Sequence, residues 1–79
     1  MTLDQMYKLN VLDLSKGLKG LRNRQSIALA ELSFHTGIDT AHLNNYENGK
    51  MVPTIKTLTK ILVYYNLSLV EFFDYVSKL

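Results

Sequence analysis

Residues 28–53 read ALAELSFHTGIDTAHLNNYENGKMVP, and the fold is decided within them. Leu29 and Leu32 are spaced for one face of a short helix over about Ala28–His35, and Gly37 supplies the left-handed residue that stops it. Asp39 or Thr40 then starts another helix. That helix is short, because Asn48 and Gly49 make a C-terminal stop and Pro53 forbids a simple continuation. Two short helices joined by a three- or four-residue turn containing glycine form a helix-turn-helix, whose second helix can enter the major groove of DNA. At roughly 100° per residue, Thr40, Ala41, Asn44 and Asn45 fall within an arc of about 140°, with Leu43 and Tyr46 opposite. Asparagine can donate to and accept from adenine at once, while Ala and the Thr methyl can touch the thymine methyl. Any surface helix beside a loop also carries Asn and Thr, so spacing alone leaves the base-reading and the plain surface readings open.

Outward from this stretch, helical spacing continues in both directions and no strict alternation appears, so the class is all-α. On the N-terminal side, Thr2 and Gln5 have capping-box spacing, and Leu3, Met6, Tyr7, Val11, Leu14, Leu18 and Leu21 recur every three or four residues in one long or two short helices. Gly17 and Gly20 fall away from the Leu14, Leu18 and Leu21 face, each at a helix cost of about 1 kcal/mol relative to Ala, so tertiary contact must hold this helix. On the C-terminal side, Thr54 caps a helix with Ile55, Leu58, Ile61, Leu62 and Tyr65 on one face, closed by Asn66. A last helix begins with the capping-box pair Ser68 and Glu71, flanked by the staple positions Leu67 and Phe72.

Composition bounds the rest. Seventy-nine residues, 47% hydrophobic and 20% charged, make a single domain, with residues 1–12 as an N-terminal extension or extra helix and 13–75 as the core. Cysteine is absent, so neither disulfides nor thiolate zinc sites contribute, and a cytoplasmic location fits. The longest apolar run, Ile61 to Tyr65, is far short of the ~20 residues that span a bilayer. A net charge of +2 is too mild to name a nucleic-acid partner.

The stretch from Leu18 to Phe73 resembles the phage-repressor and Cro type of helix-turn-helix domain, the XRE family. The resemblance rests on Leu18, Leu21, Arg22, Leu32, Gly37, Ile38, Leu43, the run Tyr46-Glu47-Asn48-Gly49-Lys50, Pro53, Leu58, Ile61 and Leu67-Ser68-Leu69. It implies a compact lambda-repressor-like bundle of about five helices, with Thr40 to Tyr46 in the recognition helix. It further implies an ion pair between Arg22 and Glu47, and places Asn48, Gly49 and Lys50 against the DNA backbone, with Thr54 and Lys56 as weaker phosphate candidates. Where the family usually carries Gln at the start of the second helix, this chain has Leu29, so that phosphate contact is lost or passes to a main-chain amide. Ala28 likewise stands where a capping side chain is common, at a cost of about 1 kcal/mol.

Glu31 and His35 have metal-ligand spacing, but no further ligands converge on them, so no metal or other cofactor is expected. His42, at the edge of the reading face, fits a phosphate or partner contact. No nucleophile with an oriented base and no glycine-rich phosphate loop occurs, so no catalytic residue is expected and the chain reads as a non-enzyme. Leu69, Val70, Phe72, Phe73, Tyr75, Val76 and Leu79 cover roughly 220° of the last helix, wider than one core face needs. Homodimerisation through Tyr65, Phe73, Tyr75, Val76 and Leu79 accounts for the excess.

The expected function is that of a small transcription regulator, a repressor binding a two-fold operator in double-stranded DNA as a homodimer, with no membrane association and no small-molecule effector evident. The competing reading is a protein-interaction module, an antitoxin or anti-regulator, favoured by Leu29 and the weak charge.

Overall fold

The computed structural model describes residues 10–79, in which five helices follow one another: α1 Val11–Arg24, α2 Leu29–Thr36, α3 Thr40–Glu47, α4 Ile55–Tyr64 and α5 Leu69–Ser77. The Thr2 and Gln5 capping box lies outside the described residues. α1 starts from a box at Asn10 and Asp13, where Asn10 Oδ1 accepts from the Asp13 N–H at 3.1 Å. The Ser68 and Glu71 box forms, each side chain accepting the other's main-chain N–H at 3.0–3.1 Å. α2 has no side-chain cap, as Ala28 requires. It ends at Gly37, whose φ of +73° is the left-handed conformation that glycine adopts without strain.

α1 and α3 pack together, α2 packs on both α3 and α4, and α5 closes the bundle against α1 and α4. Leu18, Leu32, Leu43, Leu58, Ile61, Leu62 and Phe72 meet in the middle, each at most 3% exposed. Ile55, expected on the inward face of α4, is exposed, because it is the first residue of that helix and projects past the end of the core.

The glycines of α1 are where the sequence reading needs correction. Gly17 faces into the bundle: a Cβ there would stand 2.6 Å from Val76 Cγ2 and 3.2 Å from Phe72 Cε1. One added at Gly20 would meet the Tyr75 hydroxyl at 2.7 Å. These residues form the groove that lets α5 approach α1, so α1 has two packed sides, one towards α3 and one towards α5. Their weak helix propensity is thus offset by close helix packing.

The same packing corrects two residues assigned to a dimer face. Val76, 3% exposed, is buried against Gly17, and Tyr65, 8% exposed, is part of the core at the C-cap of α4. Phe73 and Tyr75 are half-buried against the same core, which leaves Val70 of α5 and, past its end, Leu79 as the exposed apolar residues of this segment.

Burial has a measurable consequence at Tyr65. Its hydroxyl is buried without a hydrogen-bond partner among the described residues, and desolvation, aided by the Glu47 charge, pushes the phenol up to about 12. The neutral form is favoured in the fold, so this contribution to stability is fully present below about pH 10, the unfolded value, and is lost as pH rises through the folded one. Tyr65→Phe is therefore expected to be neutral or stabilising by up to about 1 kcal/mol at neutral pH, since it removes an unbonded buried hydroxyl. It should also lose less stability than wild type between about pH 8 and about pH 11, as read from urea midpoints.

Candidate nucleic-acid interface

α2 and α3 are joined by Gly37, Ile38 and Asp39 alone, so the orientation of α3 is set by a three-residue turn and by what packs beneath it. Leu43, Tyr46 and Glu47 are its buried residues. Thr40, Ala41, His42 and Asn44 are exposed and Asn45 is half-buried. The periodicity expected of this helix is realised, with Leu43 and Tyr46 turned inward beneath the four residues assigned to base reading.

An ion pair holds α3 to α1. Arg22 donates from Nε to Glu47 Oε2 and from Nη2 to Glu47 Oε1, both at 2.9 Å, while Nη1 donates to the Ile27 carbonyl at 2.9 Å. The fork satisfies both carboxylate oxygens and also ties down the chain between α1 and α2, which a lysine could not do. The Glu47 carboxylate raises the Arg22 guanidinium above its ordinary value through this hydrogen bond.

After α3 the chain turns at Gly49, with φ +74°, and the Lys50 N–H closes the helix on the Asn45 carbonyl at 2.9 Å. This turn brings two side chains back onto the amides of α3. Asn48 Nδ2 donates to Asn44 Oδ1 at 3.0 Å and to the Asn44 carbonyl at 2.9 Å, and Asn45 Nδ2 donates to Met51 Sδ at 3.4 Å. Asn44 therefore offers outward chiefly its N–H groups, and Asn45 chiefly its carbonyl oxygen. Bidentate adenine recognition by either residue requires exchange of one of these internal bonds. Sequence reasoning missed Met51 altogether and saw Asn48 as a phosphate contact, because amide orientation depends on side-chain torsions that no spacing encodes.

The phosphate candidates are variously placed. Lys50 and Lys56 are exposed, while Thr54 caps α4, accepting from the Thr57 N–H at 3.2 Å. Leu29 packs its side chain against the core, at the first position of the uncapped α2, where main-chain N–H groups lack a capping side chain. His42 directs Nδ1 at the carboxylate of Asp39, which also caps α3 by accepting from the His42 N–H at 2.8 Å. Of the basic residues in α1, Arg22 is consumed by Glu47 and Arg24 lies over the Tyr75 ring, 5.7 Å from its centre, while Lys16 and Lys19 are exposed. His35, considered above beside Glu31, stacks on Tyr64 with ring centres 5.3 Å apart.

A helix-turn-helix family model, HTH_3, matches residues 18–72. This chain belongs to the HTH_3 family. The matched span runs from the core residue Leu18 of α1 to Phe72 of α5, so it takes in the Arg22–Glu47 pair, the α2–α3 motif and the Gly49 turn. A crystal structure of an HTH_3 family transcriptional regulator from Vibrio cholerae is similar to this HTH_3 domain, with a TM-score of 0.76 and 32% sequence identity. The similarity covers 95% of this chain but 40% of that regulator, so the chain spans well under half its length. No match was found among curated proteins.

Proposed function

We propose that this HTH_3 domain binds double-stranded DNA sequence-specifically and regulates transcription, as a repressor that acts as a homodimer on a two-fold operator. The observation that carries the reading is α3 itself. It has an outward side of exposed Thr40, Ala41 and Asn44 and half-buried Asn45 over the buried Leu43, Tyr46 and Glu47, fastened to α1 by Arg22. In the major groove these four side chains would meet base edges. Lys50, Lys56, the Gly49 main chain, Thr54 and His42 would meet phosphates on either side, with the Leu29 main-chain N–H at the start of α2 in place of an amide side chain. Asn48 would orient Asn44 and contact the backbone through the same turn. The Vibrio cholerae relative, described as a transcriptional regulator, supports regulation as the role.

A second copy would present a second α3, which places half-sites ~34–36 Å apart on one side of the duplex. Of the residues expected at that contact, Leu79, past the end of α5, is exposed and Phe73 and Tyr75 of α5 are half-buried, which leaves these three available for it. Repression would follow from occlusion of the promoter.

Selection of bound duplexes from a random library tests the reading: enrichment of a palindrome supports it. Absence of enrichment at low salt, together with tight binding to a protein partner, would replace it with the interaction-module reading. On the enriched duplex, Asn45→Ala is expected to lower discrimination against single-base variants by about 1–3 kcal/mol. Lys50→Ala is expected to weaken binding to all sequences alike and to reduce the salt slope by about one. Equal losses on specific and mixed-sequence DNA from both substitutions, measured by fluorescence anisotropy, would remove Asn45 from the base-reading set.

A further inference from the structure

Asp39 presents a difficulty to any DNA-binding reading of α3. It is an exposed carboxylate at the leading end of the helix that would approach phosphates, its side chain 60% accessible. Its partner is His42, half-exposed, whose Nδ1 makes a short contact with Asp39 Oδ2. The carboxylate is held below its usual range, first by the His42 main-chain N–H and then by the His42 side chain, so it is ionised at neutral pH. On α3 itself the Tyr46 ring is 6.4 Å from His42; α1 brings Arg22, paired with Glu47; α2 brings Glu31, and His35 stacked on Tyr64. Among the described salt bridges, the His42 imidazole is the one partner that reaches Asp39.

We propose that Asp39 and His42 form a proton-operated DNA contact: the protonated imidazole neutralises Asp39 through Nδ1–H and turns Nε2–H outward as a donor to an acceptor on DNA. The inference rests on the reading of α3 as a DNA-binding helix. Loss of that proton changes two things at once. The pair passes from net zero to net −1 beside the phosphates, and with Nδ1–H retained by Asp39, Nε2 becomes a lone-pair acceptor that repels phosphate oxygens and purine N7 alike. Binding to DNA is thereby linked to proton uptake, up to one proton for each domain engaged.

The test measures affinity of the whole chain by anisotropy between about pH 8 and about pH 6, the range in which histidine changes charge, on a mixed-sequence duplex and on the duplex enriched by selection. Wild type is expected to bind more tightly as pH falls, by up to about tenfold per unit for each domain engaged. His42→Gln should abolish that dependence, whatever its affinity at the alkaline end. Asp39→Asn, which retains a good capping side chain, should raise affinity most at the alkaline end and so flatten the dependence. Circular dichroism of both variants checks that α3 is retained. A pH effect common to both duplexes assigns the acceptor as phosphate; one confined to the enriched duplex assigns it as a base edge. Binding by wild type and His42→Gln with the same pH dependence overturns the inference while leaving the DNA-binding reading intact. Failure to bind either duplex at any pH overturns both.

Discussion

Phe72→Ala is expected to destabilise the domain by about 3–5 kcal/mol, the range found when a fully buried phenylalanine is truncated. Phe72 has no exposed surface, and its ring edge lies against Gly17 at the crossing of α5 and α1. Glycine at that crossing has no side chain with which to fill the vacated space, so collapse around the cavity is limited and the loss should fall in the upper half of the range. Domains have roughly 0.05–0.15 kcal/mol per residue of stability, about 4–12 kcal/mol for 79 residues, so the loss would remove a large part of the total. Phe72→Leu, which retains most of the apolar volume, should cost less than about 1.5 kcal/mol by comparison. Urea denaturation with an unchanged m-value measures both. A loss below about 1 kcal/mol for Phe72→Ala would mean that α5 contributes little to the fold.

The second large effect concerns the pair that anchors α3. Removing one partner strands the other. Arg22→Met leaves the Glu47 carboxylate, 6% exposed, without its counter-ion and the Ile27 carbonyl without its donor. We expect a cost of about 3–5 kcal/mol, because the buried carboxylate is left without a compensating charge. Glu47→Leu should cost less, because the Arg22 side chain is 18% exposed and can turn its guanidinium to water. The double variant is expected to recover much of the single-variant loss, since it removes both charges rather than one. Arg22→Lys should fail to substitute, because an ammonium cannot serve two carboxylate oxygens and a carbonyl in one plane. Additive single losses in this cycle would show that the residues act independently. Because Glu47 is the last residue of α3, DNA discrimination should fall with the Arg22→Met substitution even under conditions where the domain remains folded.

Local signals were legible where one residue acts on its own helix. The caps at Asp39, Thr54 and Ser68, the left-handed stop at Gly37 and the division of α3 into inward and outward sides all follow from spacing. The Asn10 and Asp13 box has the same spacing as the Thr2 and Gln5 pair and was equally available in the sequence. The Asp39-x-x-His42 spacing was present too, but its meaning depends on a ring orientation that only the folded helix shows. Arg22 and Glu47, separated by 25 positions, could be joined only through the family resemblance, since nothing local links them.

The sequence by itself determined the helical segments of residues 10–79, the short glycine-containing turn between α2 and α3 and the outward side of α3, because these depend on periodicity and on neighbouring backbone groups. Tertiary structure alone decided which sides of α1 and α5 are buried. Gly17 and Gly20 read as weak helix residues until Val76, Phe72 and Tyr75 are seen against them, and Tyr65 and Val76 read as candidates for a dimer contact until the bundle closes over them. The physical reason is the same in each case. An apolar or small residue states that close packing is available, but its partner is chosen by the three-dimensional arrangement of helices far apart in sequence.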